Sequence, residues 1–124
     1  MVKMQNIVAA CLISMLALLT PLTGQGNEAF VAGVTDLPLM PGLEEMPKAT
    51  LVFDKPDGRL VRAAARGESS QSAVWHFYDE TLPQLGWRRL GQGHYARDGE
   101  NLHISVELID SKLTVHFAIA PRSE

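Results

Sequence analysis

Cysteine is nearly absent from this 124-residue chain: Cys11 is the only one. It lies in an apolar stretch near the N-terminus, so a chain that sheds this stretch has no thiol. Disulfides, thiolate metal sites and cysteine nucleophiles are then excluded. Positive charge is also in short supply. Eleven Lys and Arg stand against fourteen Asp and Glu, a formal net charge of −3. That balance provides no basic face for nucleic acid, although it favours solubility. Nor is there a long hydrophobic run. Ile7 to Leu19 spans about 13 residues, whereas a membrane-crossing helix needs about 20. Signatures of catalysis and of nucleotide binding are missing too. No helix follows Gly91-Gln92-Gly93 to hold a phosphate. Ser69 to Ser72 reads as a helix start and not as a nucleophile elbow. Asp98-Gly99-Glu100-Asn101 lacks the length and ligand order of a calcium loop. Asp79 and Glu80 are neighbours on a helix and point about 100° apart, so they form no dyad. A non-enzymatic role is the expectation, with a small hydrolase the weakest alternative.

What is present begins with an address. Met1 to Asn6 is short and weakly basic, Ile7 to Leu19 is almost wholly apolar, and Pro21 ends the run before small and polar residues. That order describes a secretory signal peptide over residues 1–26. Gly24 and Gly26 suit a cut before Asn27, and Ala29 and Ala32 offer later ones. Export to the periplasm or beyond is expected, with no stable membrane span after cleavage. Two alternatives keep the chain tethered: an uncleaved signal, or a lipidated Cys11, since Val8-Ala9-Ala10-Cys11 resembles a lipobox. Cleavage removes only one positive charge, Lys3, and leaves a single domain able to bury a modest core.

Residues 27–48 lack clear periodicity. Asp36-Leu37-Pro38-Leu39-Met40-Pro41-Gly42-Leu43 sets two prolines and a glycine among apolar residues, and proline favours extended backbone. This arm either packs along its own domain or docks on a partner through Leu37, Leu39, Met40 and Leu43. The pattern becomes regular over 49–121. Thr50 to Phe53 reads as a strand, Lys55-Pro56-Asp57-Gly58 as a turn, and Arg59 to Arg66 as a second strand with Arg62 and Arg66 on one side. Ser69 or Ser70 caps a helix whose face is Val74, Phe77, Tyr78, Thr81, Leu82 and Leu85. Pro83 and Gly86 end that helix. Four strands follow: Trp87–Leu90, His94–Arg97, Leu102–Ile109 and Leu113–Ala120. Asp98-Gly99 is a strong hairpin signal. With Asp110-Ser111 as a two-residue loop, Leu108 faces Leu113 and Val106 faces Val115, which keeps every inward pair apolar. The expected fold is α+β: a two-layer β-β-α-β-β-β-β arrangement, with an antiparallel sheet packed against one helix.

The string Phe77-Tyr78-x3-Leu82-Pro83-x-Leu85-Gly86-Trp87 resembles an uncharacterised family of small exported bacterial proteins with an FYxxxLPxLGW helix-to-strand motif. The Pro-rich segment and the closing hairpin share in the likeness, which covers roughly residues 36–121. It implies this fold and an envelope location, and it implies no activity.

One cluster invites chemistry. If Asp98-Gly99 is the turn, His94 lies opposite His103. The last hairpin sets Ala118 opposite His103, with His116 two residues away on the same side. Directly opposed Cβ atoms are about 5 Å apart and diagonal ones about 7 Å, near enough to share a divalent metal such as zinc. Against that, the Gly91-Gln92-Gly93 turn sets whether Arg88 or Arg89 shares this face, and a fixed cation there opposes metal binding. The same Arg and His side chains suit an acidic partner instead. The leading expectation is a binding or accessory module without a cofactor that contacts an envelope protein or another envelope component. It would do so through Arg62 and Arg66, through the histidines, or through the arm. The alternative is a metal-binding protein using His94, His103 and His116.

Overall fold

The computed structural model describes residues 29–31 and 34–122. The predicted signal peptide over residues 1–26, and with it Cys11, lies outside the described residues. Seven strands form one antiparallel sheet: β1 (Leu43–Glu45), β2 (Leu51–Lys55), β3 (Gly58–Gly67), β4 (Arg88–Gly91), β5 (His94–Arg97), β6 (Glu100–Ile109) and β7 (Lys112–Pro121). One helix, α1 (Gln71–Thr81), joins β3 to β4. The strands run in the order β1-β3-β7-β6-β5-β4, with β2 also on β3. The sheet is open, so the expected α+β class holds. Among the described residues no helix is long and apolar enough to cross a membrane.

Local chemistry accounts for most of these boundaries. Ser70 caps α1 by accepting a hydrogen bond from the Ala73 amide at 3.1 Å, which satisfies one of the donors that a helix start leaves free. At the other end Pro83 cannot donate, so the chain tightens into a 3₁₀ turn over Pro83–Leu85. Gly86 then takes φ +90°, a left-handed conformation that a side chain would resist. Both predicted two-residue hairpins form. Asp98 and Gly99 have positive φ, as do Asp110 and Ser111, the geometry whose twist matches paired strands. Leu108 pairs with Leu113, Val106 with Val115 and His94 with His103, in the expected register.

The inner face of the sheet carries the core. Val61, Ala63 and Ala65 of β3, Leu102 and Ile104 of β6, and Leu113, Val115, Phe117 and Ile119 of β7 are all buried there. Val74, Tyr78 and Leu82 of α1 pack against them, with the Tyr78 and Phe117 rings edge-on at 5.5 Å.

The arm belongs to this same core. Val31, Val34, Leu37 and Leu43 are buried in it, and Leu39 and Met40 pack against it half-buried. Polar contacts fix the backbone between them. The Tyr78 hydroxyl donates to the Pro38 carbonyl at 2.9 Å, and the Trp87 indole donates to the Asp36 carbonyl at 3.2 Å. The Asp36 carboxylate pairs with Arg59 at 2.9 Å and also with Arg97. Arg59 binds Glu100 at 2.8 Å, and the Arg97 guanidinium lies over the Trp87 ring at 4.4 Å. The arm even contributes a strand, β1, which was not expected between Pro41 and Pro47. Its three residues pair with Ala65 to Gly67 of β3. Beyond it the chain lifts off in a 3₁₀ turn at Pro47–Ala49 and rejoins the same edge of β3 as β2.

Candidate functional site

α1 and the apolar residues of the arm pack on the inner face of the sheet, and the Pro47–Ala49 turn borders the outer face at Ala49. Strand pairing sets out its rows. Leu51 of β2, Arg62 of β3, Ala118 of β7, His103 of β6 and His94 of β5 stand in one cross-strand line. The next row holds Ala64, His116 and Ser105, and the one after it Glu44, Arg66, Thr114 and Glu107. Arg62 and Arg66 therefore share a face with the histidines. Sequence reasoning left that link open, because the order of β3 beside β7 depends on a long-range pairing that no local pattern specifies.

The histidines do not act as a threesome. His94 and His103 meet, Nε2 to Nδ1 at 2.9 Å, with their rings edge-on at 4.2 Å. His116 turns the other way and meets Glu107 at 2.8 Å. Among the described residues no group of three or more His, Cys, Asp or Glu side chains is arranged to hold a metal ion. Of the two arginines in question, Arg88 pairs with Ala96 on the outer side. Arg89 is on the inner side and binds Asp79 of α1 at 3.0 Å. Asp79 also accepts from the Tyr95 hydroxyl at 2.5 Å, so it clamps the helix onto β4 and β5.

A hollow of about 400 Å³ opens on this face. Its outward-facing side chains on β3, β6 and β7 are Arg62, Ala64, His103, Ser105, His116 and Ala118, and Ala49 and the strand backbone at Ala63 and Phe117 complete the lining. The alanines matter. Ala64 is buried on this face, beside the Pro47–Ala49 turn, whose Ala49 lines the same hollow. A second hollow of about 210 Å³ lies beyond His103, against His94, Asn101 and Leu90. The two hollows share His103. Sites for small ligands are concave, mostly apolar, and carry a few convergent polar groups; the larger hollow has that composition.

The remaining predicted contact residues are placed differently. Leu37 and Leu43 are buried in the core, and Leu39 and Met40 pack against it half-buried. Other apolar side chains are exposed instead, among them Leu108, which was expected to face inward but lies at the hairpin tip beyond the core. Leu51, Val52 and Phe53 project from β2, and Leu108 and Ile109 from the tip of the last hairpin. The signal for β2 was present: a strand whose residues are apolar on both faces, closed by a proline turn, at a sheet edge. The chain matches no protein-family model, and comparison with curated proteins and with solved structures finds no match either.

Proposed function

We propose that this chain is an exported, non-enzymatic binding module of the cell envelope, and that it meets its ligand on the outer face of the sheet. The apolar leader supports the address. One observation carries the face: Arg62, His103 and His116, from three different strands, converge around one hollow there. The Arg62 guanidinium has no ion-pair or hydrogen-bond partner among the described residues, and the Arg66 Nε atom is buried with none. A merely solvated face needs no such convergence on a recessed alanine floor. Among the described residues the ring nitrogens of His103 and His116 bond His94 and Glu107 and no hydroxyl, and that favours binding over turnover.

The test is capture from envelope extract by the full chain, compared with the triple variant Arg62→Gln, His103→Gln, His116→Gln. The reading expects retained envelope material to be lost from the variant. Equal retention by both proteins would refute it.

A divalent metal is the second reading, and the approach of His94 to His103 is the observation that favours it. It requires His116 to leave Glu107 and to approach His103. Zinc titration followed by histidine ring resonances tests it: shifts confined to His94, His103 and His116 support it, and their absence removes it.

A further inference from the structure

We propose that the larger hollow binds a small organic anion, with the acidic group at Arg62 and His103 and an apolar body on the alanine floor. This rests on the reading of the outer face as the binding surface. It adds the chemical class of the ligand.

The sign of the charge comes from what surrounds the hollow. Its charged or titratable neighbours are Arg62, His103 and His116, and no carboxylate is among them. In a chain with more acidic than basic residues, that segregation is local and is not a consequence of composition. Arg62 is flanked in the row by Leu51 on one side and Ala118 on the other. Its planar guanidinium is built to grip carboxylate or phosphate with two parallel hydrogen bonds, and no internal acid occupies it. His103 uses Nδ1 toward His94, which leaves Nε2 to donate or accept toward the hollow. The Ser105 hydroxyl supplies a further neutral donor. His116 is already held by Glu107 at 2.8 Å, so it closes the hollow and contributes less to the charge. A metal cation fits this setting poorly, because Arg62 would repel it.

The apolar half of the ligand follows from the floor. Ala64 and Ala118 present methyl groups at the base. Toward the β2 edge lie Leu51 and Phe53, about half exposed at 52% and 56%. Phe53 pairs with Leu60, in the row next to Arg62. A short acyl chain or a single ring could lie from Arg62 along that strip. A volume of about 400 Å³ is within the ~300–1,000 Å³ range of small-molecule sites.

The test uses the full chain and four probes with the same six-carbon tail: hexanoate, hexyl phosphate, hexanol and hexylammonium. Each is titrated while backbone amide resonances are followed. Hexanoate or hexyl phosphate should shift Arg62, Ala64, His103 and Ala118, and whichever binds tighter separates a carboxylate source from a phosphate source. Hexylammonium should leave these residues unmoved, and hexanol should bind at least ~10-fold more weakly. Arg62→Gln should weaken the anions by ~10-fold or more, since one charge-assisted pair carries about that factor. Arg62 is exposed and makes no internal bond, so the variant should keep its fold and its spectrum elsewhere. Equal response to all four probes, or unaltered anion binding by Arg62→Gln, overturns the anion assignment. Those results leave the outer face standing as a binding surface if envelope capture still depends on it. Shifts confined to other parts of the molecule overturn both.

Discussion

Tyr78 and Tyr95 are the only tyrosines in the chain, and the fold buries both. Burial is the main reason that each phenol holds its proton past the ordinary tyrosine range. For Tyr95 the hydrogen bond to Asp79 and the charge of that carboxylate add to the effect, against a smaller opposing pull from Arg89. The sign follows from linkage. The unfolded chain releases these protons near pH ~10, while the folded chain keeps them to higher pH. Stability is therefore complete below about pH 10 and falls as pH rises beyond it. Alkaline titration should show phenolate absorbance appearing together with loss of circular dichroism. Phenolate appearing near pH 10 over an intact fold would mean that at least one ring is in contact with water. The burial of Tyr78 was legible from its place on the helix face. The contact of Tyr95 with Asp79 was not, because it crosses from strand to helix and neither residue signals the other.

At the scale of elements, the turns and the helix were readable, since their signals are local. Ser70, Pro83, Gly86, Asp98-Gly99 and Asp110-Ser111 each act within a few residues of themselves. The edge formed by β1 and β2 was only half readable. Pro47 interrupts it, and a three-residue strand between prolines carries too little pattern to stand out. The bulge between Arg89 and Gly91 leads into a tighter constraint at Gly93. A Cβ there would lie 2.4 Å from the Ile104 carbonyl oxygen and 3.2 Å from the Trp75 ring, at φ +74°. At Gly99 φ is also positive, at +79°, but nothing lies within 4 Å. Gly93→Ala should thus cost more than Gly99→Ala. The expectation is about 1 kcal/mol for the left-handed backbone in both, with a further 1–3 kcal/mol at Gly93 for the clash. Equal midpoints in denaturant unfolding would show that β5 and β6 can separate locally without cost.

Across the whole molecule, the two faces of one sheet divide the work. The inner face holds the arm and the helix, and its apolar alternation on β6 and β7 made it legible in advance. The arm's place in that core was one of two options at the sequence level. Val31, Val34 and Leu37 follow no helix or strand period, and what decides their position is the shape of a core assembled from distant strands. The outer face was legible as far as the histidine register and no further. Placing Arg62 in the row of His103 needed the pairing of β3 with β7, in which Arg62 meets Ala118, 56 positions further along the chain. The exposed β2 edge is bordered by Asp54 and Lys55, and charges of this kind restrain edge-to-edge association. The central claim is that one face makes the fold and the other is left free to bind. Denaturant unfolding of two variants side by side tests it most directly. Leu37→Ala should lose about 2–5 kcal/mol, as for a buried leucine. The triple variant at Arg62, His103 and His116 should lose less than about 1.5 kcal/mol, as for three surface changes of up to ~0.5 each. A triple variant as damaged as Leu37→Ala would contradict the account, and so would a Leu37→Ala variant that unfolds like the wild type.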